Sequence, residues 1–223
     1  MKKQVLVVAP HPDDETLGCG GTLLKHVAEG DWIHWLTLTE IQADLGYGRD
    51  QIERRKNEIE MVTKRYPFQT AHHLTFATTK LDTIPISRLV EQVGAVFKKV
   101  NPEIVYLPWR NDIHTDHKYA FDATVACCKW FRYNSIKRVL AYETLSETEF
   151  GLNPDASGYR PNVFMDIADF LESKIEILNI YSSEMGEFPF PRSEDAVRSL
   201  AAFRGVAAGY RAAESFVLLK EIL

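Results

Sequence analysis

Apolar and polar positions along the chain alternate between two periods. Val5-Leu6-Val7-Val8-Ala9 is a continuous apolar run rich in β-branched residues, the pattern of a strand buried on both faces. Leu23, Leu24 and Val27 then recur at helical spacing between residues 20 and 30, and Gly30 is suited to close that helix. Residues 32–38 predict a second strand. Residues 50–65 predict a charged helix with Ile52, Ile59 and Val62 as its apolar stripe, ending before Pro67. A third strand is expected at 73–76. An amphipathic helix over 86–100 carries Leu89, Val93, Val96 and Phe97 and stops at Asn101-Pro102. A fourth strand at 104–107, a helix at 117–131 and a fifth strand at 139–142 follow. In the tail, 162–167 reads as a strand, 170–181 and 194–210 as helices, and 214–223 as a terminal apolar run. Turn signals at Asn153-Pro154 and Ser157-Gly158 make 151–161 a loop.

Strand and helix in repetition mean βαβ units, hence an α/β fold with a parallel sheet covered by helices on both faces. The 223 residues form one domain, 1–223, long enough for a full core without disulfide staples. Apolar residues are 45% and charged residues 26%, which excludes a disordered chain. The net charge of −5, with no basic run, argues against nucleic-acid binding. No apolar run approaches the ~18 residues of a membrane span, so no stable membrane insertion is expected. Met1-Lys2-Lys3 is basic, but the apolar stretch after it ends by Pro12-Asp13-Asp14, too short and too acidic for a signal peptide. Cys19, Cys127 and Cys128 form no CxxC, and their odd number fits a reducing cytoplasm better than a disulfide framework.

In doubly wound sheets, ligands bind beyond the carboxyl ends of the strands, where strand order reverses. Pro10-His11-Pro12-Asp13-Asp14-Glu15 follows the first strand and places an imidazole and three carboxyls there. Three successive acids after a buried strand repel one another, and a metal cation is the simplest compensation. Asp112-Ile113-His114-Thr115-Asp116-His117 follows the fourth strand, which in a parallel sheet often neighbours the first. Two histidines and a carboxylate suit catalytic zinc with an open water position, and the same set also holds Fe(II) or another divalent ion. Metal-assisted hydrolysis is the chemistry these groups suggest. Taken singly, an Asp-Asp pair is usually a solvated turn or a helix N-cap, and lone histidines are usually surface residues. Two such loops at strand ends carry more weight than either alone.

These residues resemble a known family. Ala9 to Glu15, followed by Gly18-Cys19-Gly20-Gly21-Thr22, is similar to the opening signature of the LmbE-like, or PIG-L, de-N-acetylases, and Asp112 to His117 to their second signature. Weaker likenesses are Arg55 with Glu58, Tyr181-Ser182-Ser183, Arg204-Gly205 and Ala213-Glu214-Ser215-Phe216, so the resemblance spans almost the whole chain. It implies a Rossmann-like three-layer sandwich with a mostly parallel sheet, one zinc ion and no nucleotide cofactor. His11, Asp14 and His117 fall on the family's ligand positions. Asp13 falls on its general base, activating the metal-bound water. His114 falls on the residue that stabilises the tetrahedral intermediate or protonates the leaving amine, and Asp116 on an outer carboxylate that orients a histidine. The implied substrate is an N-acetylglucosamine-type conjugate, a glycoside or sugar nucleotide, that loses its N-acetyl group. Two departures concern the substrate cleft: Glu184 where glutamine is common in relatives, and no acid between Gly46 and Gly48.

Further substrate-facing candidates are Arg55, Trp109, Arg110, Asp112, Glu143, Arg204 and Glu214. Arg204 and Glu214 either reach the cleft or pair with each other. Trp32 and Trp35 read as packing, and Cys19 as a small residue at a tight helix start. A dinucleotide fingerprint fails because Leu23 stands where a third glycine belongs, and there is no P-loop and no Gly-x-Ser-x-Gly. The competing readings are hydrolysis of an N-formyl or other small amide and, at greater remove, a non-catalytic sugar-binding protein. A homo-oligomer is compatible with the sequence.

Overall fold

A computed structural model of the protein describes residues 2–154 and 156–223. Met1, from the basic start, and Asp155, from the 151–161 loop, lie outside the described residues. The strands are β1 (Gln4–Ala9), β2 (Trp32–Glu40), β3 (Thr70–Ala77), β4 (Ile104–Pro108), β5 (Arg138–Tyr142), β6 (Val163–Asp166) and β7 (Ala213–Glu221). The helices are α1 (Asp14–Ala28), α2 (Arg49–Arg65), α3 (Ile86–Val100), α4 (Thr115–Ala126), α5 (Leu171–Leu178) and α6 (Glu194–Ala208). The strands make one sheet in the order β3-β2-β1-β4-β5-β7-β6. Pairings from β3 through β5 are parallel, and β7 runs antiparallel to both β5 and β6. This is the expected α/β three-layer sandwich with a mostly parallel sheet.

Alternation along β1 builds both layers. Leu6 and Val8 face α3 and α4, where they meet Leu89, Val93, Phe97, Ala120 and Ala123. Val5, Val7 and Ala9 face the other way, onto Leu23 of α1, Val62 of α2 and Ile177 of α5. Full burial on both faces explains why β1 reads as an uninterrupted apolar run. Trp35 is buried as expected, but Trp32 is exposed, with Lys2 over its ring.

Two local expectations need correction, and one is made specific. The first helix starts at Asp14, not at residue 20, so the glycine-rich stretch lies inside it. Its far end is as read, since Gly30 takes φ +84°, a conformation costly for other residues. The helix expected at 117–131 runs instead from Thr115 to Ala126, and short turns replace its last part. The terminal apolar run at 214–223 is an antiparallel strand inserted between β5 and β6. No helix among the described residues is long and apolar enough to cross a membrane.

Sheet order reverses between β1 and β4, which are direct neighbours in register Val5 to Ile104 through Val7 to Tyr106. The loops after these two strands therefore leave the same edge of the sheet side by side.

Candidate metal centre

The first loop is short and over-determined. The Pro10 carbonyl accepts from both Thr39 N–H (3.0 Å) and Thr39 Oγ1 (2.8 Å) at the end of β2. The Pro12 carbonyl accepts from Arg55 Nη1 at 3.1 Å. Asp13 then takes φ +130°, strained for a residue with a side chain, at a cost of ~1–3 kcal/mol. Glu15 helps to hold it there. Its buried carboxylate accepts from Asp13 N–H (3.0 Å), Thr16 Oγ1 (2.7 Å) and the Tyr181 hydroxyl (2.9 Å). The three successive acids thus have three different fates, and a cation is not the compensation for all of them. Glu15 is satisfied by donors, Asp13 by Arg192, and only Asp14 joins the histidines.

His11, Asp14 and His117 each offer a ligand atom, all within 4.8 Å of one another. Asp14 Oδ2 lies 3.2 Å from His11 Nδ1 and 3.4 Å from His117 Nε2. The outward nitrogen of each histidine has its own carboxylate: His117 Nδ1 meets Asp112 Oδ2 at 2.7 Å, and His11 Nε2 meets Asp116 Oδ2 at 3.0 Å. Both acids are fixed in turn. Asp112 accepts from Thr148 Oγ1 (2.7 Å), and Asp116 from the N–H groups of Thr79 (2.7 Å) and Leu81 (3.0 Å). Carboxylates placed behind imidazoles in this way fix tautomer and ring orientation in metal sites.

The donor set fits a divalent cation, and two atoms show it. Asp14 Oδ1 and His117 Nε2 are buried and lack any hydrogen-bond partner. Such orphans are costly unless another group satisfies them. A cation between His11, Asp14 and His117 would satisfy His117 Nε2 and draw on the Asp14 carboxylate, whose Oδ2 faces both histidines, and two imidazoles with one carboxylate leave room for solvent.

Charges in the cluster are already interlocked. Burial alone would push His11 down, but hydrogen bonds donated to Asp116 and Asp14 outweigh it and raise the imidazole to about 9. Burial also opposes ionisation of Asp14, yet His117 and His11 hold its carboxyl well below the usual carboxylate range. A cation must therefore displace protons from the imidazoles when it binds near neutral pH. Calorimetric titration of metal-free protein with Zn2+ in buffers of different ionisation enthalpy is expected to show release of about one proton or more per ion. Affinity should weaken as pH falls below 9. Binding enthalpy independent of the buffer would show that His11 is neutral before metal arrives.

Asp13 and His114 flank the trio. Asp13 is the residue before α1, but its side chain does not cap the helix. It meets Arg192 Nη1 at 2.7 Å through Oδ2. Burial pushes its carboxyl up to about 8, against the opposing pull of Arg192. His114 does cap α4, with Nδ1 accepting Asp116 N–H at 3.1 Å, which leaves the proton of the neutral ring on Nε2. Burial, then His11 and His117, push it down to about 4. Its ring centroid lies 4.4 Å from that of His11.

A cleft of about 410 Å³ opens over these groups, with His11, Asp13, Arg55, His114, Glu184 and Arg192 in its lining. The structure distributes the other substrate-facing candidates unevenly. Arg55 is in the cleft, bonded to Pro12, Ser183, Glu58 and Glu184. Asp112 stands behind His117. Trp109 packs edge-on against Tyr159, and Arg110 pairs with Asp122 (2.7 Å); neither lines the cleft. Glu143 pairs with Arg204, at 2.6 and 2.8 Å, and accepts from Ser215 Oγ. Glu214 pairs with Lys174 at 2.7 Å. Arg204 and Glu214 therefore neither reach the cleft nor meet each other.

Arg192 is absent from the sequence-based candidates. It donates to Asp13, Glu184 (3.1 Å), Glu147 (3.2 Å) and Ser146 Oγ (2.7 Å), joining three loops around the cleft. The only local signal is its place after Phe188-Pro189-Phe190-Pro191, a segment without helical or strand periodicity. The two departures noted in the sequence both fall in the lining, as Glu184 and as Tyr47 between the glycines.

A mostly parallel sandwich with this donor set at its switch point defines a metal-dependent hydrolase of the deacetylase type. The family model described as PIG-L, GlcNAc-PI de-N-acetylase, matches residues 6–128, and the chain belongs to this family. It is 30% identical to the diacetylchitobiose deacetylase of Thermococcus kodakarensis over 233 aligned residues, covering 95% of this chain and 81% of that one. A conserved protein of Thermus thermophilus superposes with a TM-score of 0.76 at 25% identity, covering 99% of this chain and 96% of that one. A 4-carboxy-2-hydroxymuconate hydratase from Pseudomonas putida shares the fold with a TM-score of 0.72 at 18% identity, covering 100% of this chain and 98% of that one. Since a hydratase has this architecture, the fold alone does not select the reaction.

Proposed function

We propose that the protein hydrolyses the N-acetyl group of an N-acetylglucosamine-type conjugate, using Zn2+ held by His11, Asp14 and His117. The observation that carries this reading is the pair of buried orphan atoms, Asp14 Oδ1 and His117 Nε2, next to Asp13, which lines an open cleft of mixed polar and apolar character. The bound cation would polarise the amide carbonyl and make water more acidic. With its carboxyl pushed up to about 8 by burial, Asp13 in its ionised form takes the proton of the attacking water and returns it to the departing amine nitrogen. Arg192 holds Asp13 Oδ2 and so fixes how the carboxylate is presented. His114 is neutral and offers Nε2–H to the oxygen that gains charge as the carbonyl carbon becomes tetrahedral, the role of an oxyanion-hole donor. A ring pushed down to about 4 suits hydrogen-bond donation better than full proton transfer, which supports the first of the two roles the family resemblance leaves open for His114. Asp112 and Asp116 fix the two ligand histidines from behind.

The cleft supports a sugar-sized substrate. Its volume falls within the ~300–1,000 Å³ of small-molecule sites, and Arg55, Glu184 and Arg192 supply paired donors and acceptors for hydroxyl groups. The test is incubation of zinc-loaded protein with a panel of N-acetylglucosamine conjugates and their N-formyl counterparts. Free amine and released acetate or formate are measured separately. Amine with stoichiometric acetate is expected. Formate release without acetate would favour the N-formyl reading, and neither product with intact zinc binding would favour a sugar-binding protein.

A further inference from the structure

Behind the cleft, two buried charges of opposite sign grip the helix that carries Asp14. Lys174 of α5 and Glu214 of β7 pair at 2.7 Å, with side chains only 6% and 5% exposed. Each also binds the backbone of α1. Lys174 Nζ donates to the Leu17 carbonyl at 2.8 Å. Glu214 Oε1 accepts Gly21 N–H at 2.9 Å, and Oε2 accepts Thr22 N–H at 2.7 Å. The Leu17 carbonyl and the Gly21 N–H belong to one i→i+4 step of the helix, so the ion pair spans one rung of its hydrogen-bond ladder. Leu17 is itself tied to the site, since its N–H donates to the Asp13 carbonyl at 2.8 Å. A continuous run of polar contacts therefore leads from Asp13 through Leu17 and Lys174 to Glu214 and back into α1.

Gly20 gives the grip its room. A Cβ there would sit 2.8 Å from the Tyr66 hydroxyl and 3.0 Å from Lys174 Cγ. Burying an ion pair costs desolvation that a well-packed apolar pair would avoid, so such pairs are weak devices for stability alone. Here the pair connects α5 and β7 to α1 at Leu17, Gly21 and Thr22, one to two turns beyond Asp14, the carboxylate opposite His117. We propose that Lys174 and Glu214 are positioning residues that set the axial placement of α1, and with it the placement of Asp14 against His11 and His117. The proposal rests on the metal-site reading above and assigns work to the C-terminal part of the chain, beyond residues 6–128.

The test measures Zn2+ affinity by competition with a chromogenic chelator, alongside Tm of the metal-free protein. Glu214→Asp keeps the charge pair but draws the carboxylate back from the Gly21 and Thr22 N–H groups. The double variant Lys174→Met, Glu214→Gln removes both charges while preserving shape, which avoids leaving one ion stranded. Both are expected to weaken Zn2+ binding by ~10-fold or more, as loss of a ligand-orienting contact does. Tm of the double variant should stay close to that of the unaltered chain. With Co2+ in place of Zn2+, its visible absorption bands should shift. Unchanged affinity in either variant overturns the proposal, as does weakened binding confined to a variant whose Tm collapses. An unaltered chain that binds no Zn2+ overturns the metal-site reading and this proposal together. Intact zinc binding without turnover of any conjugate counts against the substrate assignment alone.

Discussion

Replacing His117 with alanine is expected to abolish stoichiometric zinc and, with it, turnover. His117 is fully enclosed, its Nδ1 is fixed by Asp112, and its Nε2 is an orphan aimed at Asp14. Alanine removes one of the three proposed ligands and leaves Asp112 and Asp14 without their imidazole. Loss of an outer-shell partner alone costs ~10–100-fold in metal affinity, so loss of the ligand itself should exceed that range. Asp112→Ala supplies the calibration, because it should fall within the range while retaining measurable zinc. Metal content after gel filtration and competition titration give the affinities, and acetate release gives turnover. A His117→Ala protein that keeps one tightly held zinc would remove His117 from the ligand set and move the site toward the alternative grouping of His11, His114 and Asp116.

The part of the site legible in the sequence is the part that depends on local order. His11, Asp13 and Asp14 follow an apolar run that could only be a central strand, and His114, Asp116 and His117 follow another. Parallel topology then makes β1 and β4 neighbours, so proximity of the two loops follows from chain order. What the sequence hides is direction and distance. The residues of β7 show apolar character but not that they run antiparallel between β5 and β6. Gly18, Gly20 and Gly21 look like poor helix formers, and a start for α1 no earlier than residue 20 follows from propensity. Close packing reverses that reading, because a Cβ at Gly18 would lie 2.2 Å from the Tyr142 ring. Arg192 meets Asp13 across 179 residues of chain, and no local pattern encodes that contact. Glu143 reads as a cleft residue, and Arg204 and Glu214 read either as cleft residues or as a pair with each other. In the folded chain Arg204 closes on Glu143 and Glu214 grips α1.

Replacing Asp13 with asparagine is expected to leave metal binding intact and lower kcat by ~10²–10⁴-fold, the span of a lost general base. Asparagine is the informative choice because of the backbone. Asp13 sits at φ +130°, and asparagine tolerates positive φ better than most residues with a side chain, whereas alanine would add strain to the chemical change. The amide oxygen can still accept from Arg192 Nη1, so the contact that presents the side chain survives while the proton acceptor is lost. His11, Asp14 and His117 keep their positions, and zinc content should match that of the unaltered chain. Substrate contacts elsewhere in the cleft also persist, so KM should change little and the loss should fall on kcat, as for an interaction made in the transition state. A variant with depleted zinc would place Asp13 among the ligands. One with full zinc and undiminished kcat would mean that another group removes the proton from water. Glu184 would then be the next candidate, since its carboxylate lines the same cleft and shares Arg192 with Asp13.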